Sequence, residues 1–212
     1  MAYTILHVES SPLGDRSVSR KLAARILAEL KAKHPGSKII ERDLAAIPFP
    51  HLNGLTVGAF FTPPEQRNEM LSEAIKLSDE AVDDVMAADV IVIGAPMHNF
   101  GIPSSLKAWI DYIVRTGRTV RYTAKGPERL VPAGKKVIIA SARGGFYSEG
   151  PSKALDYQET YLKAVLEFIG LTDISFVRAE GVGRGSDAER AAILHAEAQV
   201  AAAVEAAFDP VS

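Results

Sequence analysis

The chain of 212 residues contains no cysteine. This absence excludes disulfides, thiolate catalysis, Cys-ligated zinc and iron–sulfur clusters. The five histidines show no metal-ligand spacing, so no metal is predicted. An excess of positive charge is also lacking: 24 basic and 26 acidic side chains give a formal net charge of −2. We therefore expect no nucleic-acid partner and no attraction to an anionic membrane surface.

Long hydrophobic runs are absent as well. No apolar stretch approaches the roughly 20 residues needed to span a bilayer, so no membrane span is predicted. Residues 1–6 show neither the basic region nor the cleavage site of a signal peptide. The length fits one domain, and 47% hydrophobic with 24% charged residues is ordinary for a globular protein. These features predict a single domain over residues 1–212, located in the cytoplasm.

Short apolar, β-branched segments alternate with helical patterns along the chain. The predicted strands are residues 3–8, 37–42, 88–94, 136–141 and 174–179. Unbroken apolar runs of this kind suit parallel strands that are buried on both faces, whereas Lys38 and Glu41 mark the second segment as an edge strand. Alternation of such strands with helices predicts an α/β protein with a doubly wound, five-stranded parallel sheet and helices on both faces.

Two stretches depart from this alternation. Residues 47–61, rich in Pro, Gly and aromatics, predict a long functional or covering loop. Residues 119–131 contain a short strand, a Gly126-Pro127 turn and a return, which predicts a hairpin. Directly after the first stretch, Thr62-Pro63-Pro64-Glu65 predicts the start of a helix.

The segment after the first strand contains several hydroxyl side chains that lead into a helix. In doubly wound sheets, ligands bind beyond the carboxyl ends of the strands, where the strand order reverses. Ser11, Ser17 and Ser19 at the start of a helix would supply hydroxyls and free backbone amides to a monophosphate. The alternative is that Ser17 serves only as a helix N-cap. The pattern of a P-loop kinase is missing.

The segment after the strand at 88–94 is stiffened by Pro96 and Pro103. Between the prolines, backbone amides, the Asn99 side chain and the Phe100 ring suit a flat, polar heterocycle. The alternative is a structural turn in which Phe100 and Trp109 pack in the core, and for Trp109 this alternative is favoured.

The segment after the strand at 136–141 contains Gly144 and Gly145. Paired glycines let the backbone approach a ligand closely because no Cβ intervenes. A single glycine would be explained by a plain turn. All three segments would meet in one crevice, and this convergence predicts a ligand site.

These segments resemble a known family, the FMN-dependent NAD(P)H azoreductases, also described as FMN-dependent NADH:quinone oxidoreductases. The resemblance covers almost the whole chain. Its motifs are the serine-rich first segment, residues 95–103 with 106–111, Arg121-Tyr122-Thr123 with 126–128, Arg143-Gly144-Gly145, and Ala179-Glu180-Gly181. The segment at 95–103 is the most specific of them.

The resemblance implies a flavodoxin-like fold and a homodimer with one FMN per subunit at the interface. It also implies ping-pong chemistry, in which NADH or NADPH delivers hydride and a quinone or azo compound then takes two electrons. The residues implied for FMN are Ser11, Ser17, Val18 and Ser19 at the phosphate, Pro96, Met97, His98, Asn99 and Phe100 at the ring, and Ala142, Arg143, Gly144 and Gly145 at its pyrimidine edge. Tyr122 and Phe100 are implied for the substrate pocket. No catalytic side chain is predicted, because the cofactor carries the chemistry.

Two residues depart from the family pattern. His98 occupies a place often taken by Tyr, which bears on substrate preference. Val18 replaces a polar residue, which removes one possible hydrogen bond to the cofactor.

Two other functions use related folds. A flavodoxin-type electron carrier would serve a protein partner, but the net charge of −2 and the added segments at 47–61 and 119–131 favour a covered small-molecule pocket. A flavin-free switch module would need clustered acidic residues at the strand ends, and Glu9 alone does not supply them. A colourless protein indifferent to FMN would favour the switch module.

Overall fold

A computed structural model describes residues 3–208. The strands are β1 (Thr4–Glu9), β2 (Lys38–Asp43), β3 (Val90–Pro96), β4 (Val120–Thr123), β5 (Gly126–Arg129), β6 (Lys136–Arg143) and β7 (Asp173–Glu180). The helices are α1 (Val18–Lys33), α2 (Gly54–Phe61), α3 (Glu69–Ala87), α4 (Ser104–Ile113), α5 (Glu159–Ile169) and α6 (Ser186–Ala206).

Five parallel strands form the main sheet in the order β2-β1-β3-β6-β7, and helices cover both faces. The predicted fold class is confirmed, and β2 lies at an edge as expected. In β3 the four residues Val90 to Ile93 are each 1% exposed or less. Apolar side chains on both faces of a strand require helices on both sides of the sheet, which the βαβ connections supply.

The two faces of the sheet bury separate apolar cores. One core packs α3, α4 and α5 against the sheet, with Trp109 fully buried at its centre. The other packs α1 and α6 against the opposite face. Trp109 is therefore a core residue, as its structural interpretation predicted, whereas Phe100 is 44% exposed and lies outside both cores.

The stretch predicted as a loop over residues 47–61 is helical in its second half, so that prediction was wrong there. Asn53 caps α2 by accepting a hydrogen bond from the Thr56 amide at 3.0 Å. The predicted helix start at Thr62 was also wrong, because the Thr62 hydroxyl donates to the Gly58 carbonyl at 2.8 Å and closes α2 instead. Residues Pro64–Gln66 form only a short 3₁₀ helix, with Pro63 rather than Thr62 at its N-cap. The next α-helix begins at Glu69, capped by Asn68.

Residues 119–131 contain the antiparallel pair β4 and β5, in which Val120 faces Arg129 and Thr123 faces Gly126. This hairpin lies outside the main sheet. Its base is tied to the far end of α5, where the Val131 amide donates to the Ile169 carbonyl at 3.3 Å.

Candidate functional site

The strand order reverses at β1. From β1 the chain runs outward to β2 and then crosses back to β3 on the other side of β1. Connections leaving the carboxyl ends of β1 and β3 therefore separate to opposite faces and open a crevice between them. Three connections lie at the carboxyl ends of the strands and border the crevice. They are the first loop (10–17), the second loop (97–103) and the third loop (144–150), which follow β1, β3 and β6.

The first loop ends at the amino terminus of α1 and holds buried serines. Ser11, Ser17 and Ser19 are each 2% exposed or less. Ser17 caps the helix by accepting from the Arg20 amide at 3.4 Å, and its Oγ lies 3.0 Å from Ser19 Oγ. The amides of Val18 and Ser19 donate to no acceptor within residues 3–208. Free amides at a helix amino terminus suit a phosphate.

Arg20 connects the first loop to Asp43, the last residue of β2. Arg20 donates to the Ser11 carbonyl through Nε at 3.0 Å and Nη2 at 2.9 Å, and forms a two-pronged pair with Asp43 at 2.7 and 2.8 Å. The hydrogen bond from Arg20 lowers the pKa of the Asp43 carboxyl. Asp43 therefore stays ionised and holds Arg20 against the loop.

We expect Asp43→Asn to destabilise the protein by less than about 1 kcal/mol, because Asp43 is 40% exposed and solvent screens the pair. Since the folded-state pKa lies below the ordinary value of 3.8, the wild type gains stability from this pair above that pH and loses it as the pH falls through the lowered value. Urea unfolding of both proteins at several pH values measures the difference. A difference that grows on acidification would contradict this assignment.

The second loop contains a tight reverse turn. The backbones of His98 and Gly101 exchange two hydrogen bonds of 2.9 Å, and the residues between them, Asn99 and Phe100, have φ of 48° and 70°. Positive φ at both central positions is typical of a type I′ turn, but it is unfavourable for a bulky side chain such as Phe. Such strain is found where surrounding structure enforces it, often at ligand sites. The turn exposes His98, Asn99 and Phe100.

The second and third loops are joined at their bases. The Met97 amide donates to the Ala142 carbonyl at 2.8 Å. Ala142 is buried, whereas Pro96 and Met97 are partly exposed. Farther out, the Phe100 ring meets Tyr147 edge-on, with ring centres 6.2 Å apart. The second and third loops therefore touch each other twice, once at their bases and again farther out.

The third loop turns its carbonyls away from the crevice. The carbonyls of Arg143, Gly144 and Gly145 accept hydrogen bonds of 2.9 to 3.2 Å from the amides of residues 181–183. Within the described part of the chain, the Gly144 and Gly145 amides donate to no acceptor. A Cβ on Gly183 would lie 3.2 Å from the Gly144 backbone, so any larger residue would press on the third loop. The loop offers free donors to the carbonyl oxygens of a ligand.

The side chain of Arg143 does not face the crevice. Its guanidinium is fully buried and is surrounded by Asp156, Gln158, Glu159 and Glu180. Contact with a cofactor is therefore restricted to the backbone of Arg143. The side chain of Val18 is also buried, at 8% exposure, which leaves only its amide for a phosphate.

Tyr122 lies on β4, and its side chain is 64% exposed. Among the hydrogen bonds, ion pairs and ring contacts of residues 3–208, none joins Tyr122 to the three loops. Its hairpin is attached to the end of α5, at Ile169. The structure therefore brings together the residues of the three loops but does not bring Tyr122 to them.

Three side chains at this edge were not predicted from the sequence: Arg20, Gln158 and Glu180. Glu180 lies in a motif of the family resemblance, but no role was predicted for its side chain. Nothing in the local sequence indicates a role for Arg20 or Gln158, because their partners are distant in the sequence. Among residues 3–208 no group of three His, Asp or Glu side chains is arranged to hold a metal. No helix in that range is long and apolar enough to cross a membrane.

The three loops fit the parts of FMN. The first loop offers amides to an anion, the second presents an exposed ring and an amide side chain to a flat heterocycle, and the third offers two amides to ring carbonyls. The free donors belong to Val18, Ser19, Gly144 and Gly145.

The comparisons with known proteins agree with this geometry. Residues 3–204 match the family described as having a flavodoxin-like fold, Flavodoxin_2. An FMN-dependent NADH:quinone oxidoreductase of Herminiimonas arsenicoxydans is 50% identical over 86% of this chain and 89% of that protein. One from Rhizobium meliloti is 47% identical over 93% and 95%.

Solved structures show the same similarity. An azoreductase from Bacillus anthracis superimposes with a TM-score of 0.87 and 29% identity over 96% of this chain and 99% of its own. An FMN-dependent NADH-azoreductase from the same species, in complex with FMN, gives a TM-score of 0.82 and 25% identity over 94% and 98%. The chain therefore belongs to the flavodoxin-like fold family, among the FMN-dependent NADH:quinone oxidoreductases and azoreductases.

Proposed function

We propose that this protein binds FMN and transfers electrons in pairs from NADH or NADPH to quinones and azo compounds. One observation carries the proposal: free amides at the start of α1 and in the third loop lie at the same end of the sheet as the exposed Phe100 ring of the second loop. Relatives that match nearly the whole chain are FMN-dependent NADH:quinone oxidoreductases. FMN, when bound, supplies the hydride-accepting and hydride-donating chemistry.

The residues of this chain bind and orient the cofactor in the proposal. Ser11, Ser17, Ser19 and the amide of Val18 hold the phosphate. The segment from Pro96 to Phe100 would flank the ring system of FMN. Gly144 and Gly145 would donate their amides to its pyrimidine edge, to which Ala142 and the backbone of Arg143 would also contribute. The exposed Phe100 would border the pocket that nicotinamide and acceptor enter in turn.

A homodimer is part of the proposal. Large apolar side chains are exposed beside the crevice and on α2, including Leu13 (52%), Phe61 (68%) and Tyr157 (60%). Such exposure suits a protein interface. Among residues 3–208 no hydrogen bond, ion pair or ring contact joins Tyr122 to the loops of its own chain, so in the proposal Tyr122 belongs to the substrate pocket of the partner subunit. We place the reaction in the cytoplasm, since pyridine nucleotides are intracellular metabolites.

Under argon, NADH or NADPH alone should bleach the visible absorbance of the FMN-loaded protein, and a small quinone should restore it. One flat crevice cannot stack nicotinamide and acceptor at once, so initial-rate double-reciprocal plots should be parallel. Free FMN at the same concentration is the control for direct reduction. Failure of both nucleotides to bleach the protein would favour an electron carrier over a reductase.

A further inference from the structure

Arg143, the last residue of β6, is held by four neighbours in the interior. Its Nε donates to Gln158 Oε1 at 3.0 Å, and its Nη1 lies 3.2 Å from Glu180 and 3.1 Å from Asp156. Its Nη2 contacts Glu159. A buried guanidinium surrounded by acidic and amide partners cannot shift without leaving one of them unpaired. The residue directly before the glycines of the third loop is therefore fixed in place.

Gln158 connects this arginine to the second loop. Its side chain is fully buried, and its Nε2 donates to the Ala95 carbonyl at 2.8 Å. Ala95 lies near the end of β3, two residues before Met97. The amide of Gln158 thus links the end of β3 to the end of β6 through two hydrogen bonds.

Glu180 extends from the arginine to the far end of the third loop. Its Oε1 accepts from the amides of Tyr147 at 2.6 Å and Ser148 at 2.9 Å, and its Oε2 accepts from the Ser148 hydroxyl. Burial raises the pKa of Glu180, but the hydrogen bonds from Ser148 and Tyr147 and the charge of Arg143 outweigh it and hold the pKa below the ordinary value. The carboxylate is therefore ionised and fixes the loop two residues beyond Gly145.

We propose that Arg143, Gln158 and Glu180 are positioning residues that form a buried brace between the two loops flanking the flavin ring. In the proposal these side chains act on the cofactor through the two loops and not by direct contact, since Arg143 and Gln158 are fully buried. They set the spacing between the Gly144 and Gly145 amides on one wall and the Asn99–Phe100 turn on the other. A binding site must hold such groups to within about 0.5 Å. The inference rests on the proposed FMN site.

The test measures flavin affinity of the apoprotein by quenching of flavin fluorescence, for FMN and for riboflavin. We expect Glu180→Gln and Gln158→Met to lower the affinity for both flavins by about tenfold, because each substitution removes a hydrogen bond or ion pair of a buried charged network. The ratio of FMN to riboflavin affinity should not change, because the brace positions the ring and not the phosphate. The visible circular dichroism of the bound flavin should change. Glu205→Gln, which removes an exposed ion pair with Lys33, should stay within twofold of the wild type.

Ser148→Ala provides a milder variant, because it removes one hydroxyl from Glu180 and leaves Arg143, Gln158 and the Glu180 carboxylate in place. It should lower the affinity for both flavins two- to fivefold. Affinities within twofold of the wild type and an unchanged visible spectrum in the folded variants would overturn the brace. A loss of affinity for FMN alone would also overturn the brace, since the residues would then act on the phosphate. A wild-type apoprotein that binds neither flavin would instead overturn the proposed function, and the brace with it.

Discussion

The apoprotein should bind FMN at least about 100-fold more tightly than riboflavin. The two ligands differ only in the phosphate, so the difference isolates the first loop. Two charge-assisted hydrogen bonds at roughly 1.5–3 kcal/mol each account for this factor. The free amides of Val18 and Ser19 supply them, and the amino terminus of α1 adds a favourable dipole. Titration of both flavins by fluorescence quenching measures the ratio.

Ser17→Ala separates the hydroxyl contribution from the rest of the loop. It should weaken the binding of FMN by about tenfold and leave the binding of riboflavin unchanged, since the phosphate is the only part of FMN that the hydroxyl would contact. Loss of the N-cap bond from the Arg20 amide would instead affect both ligands alike. Ser72→Ala, on the exposed surface of α3, is the matched control and should change neither affinity. Equal affinities of the wild type for FMN and riboflavin would refute the phosphate assignment.

Gly145→Val should purify with little FMN while its far-ultraviolet circular dichroism stays that of the wild type. A Cβ at this position would lie 3.2 to 3.4 Å from the Tyr147 ring, and valine adds two more methyl groups. Because Tyr147 packs edge-on against Phe100, displacement of its ring disturbs both walls of the crevice. Overpacking of this size costs about 1–3 kcal/mol, which corresponds to a loss of about 5- to 150-fold in affinity.

A second substitution shows how Gly145→Val acts. Gly145→Val combined with Tyr147→Ala should recover part of the FMN content, because the obstructing ring is gone. Gly54→Ala is the control, since a Cβ there meets no atom within 4 Å. Full FMN occupancy in the single Gly145→Val variant would be incompatible with the proposed role of the third loop.

The main sheet could be predicted because its signal is local. Runs such as Val90 to Ile93 are buried on both faces, which is typical of parallel strands covered by two helical layers. The positions of the three loops followed from the general location of ligands in doubly wound sheets. The cofactor contacts assigned to individual residues stay predictions.

The features missed by sequence reasoning depend on distant partners. Proline and glycine in residues 47–61 argued for a loop, but Phe60 packs against Tyr112 and beneath Arg115, and this contact stabilises α2. Arg143 stood in a motif for which the family resemblance implied contact with the cofactor. Its partners at 156, 158, 159 and 180 come together only in the folded chain, and they turn its side chain inward.

The backbone hydrogen bonds between the third loop and residues 181–183 continue the pairing of β6 with β7 beyond the ends of the two strands. The shape of the loop depends on the edge strand β7 and on the turn that follows it, not on the residues of the loop alone. A designer who transplanted Arg143-Gly144-Gly145 into another doubly wound scaffold would move the motif without its support. The smallest transferable unit is the loop together with β7 and the glycine-rich turn that leads into α6.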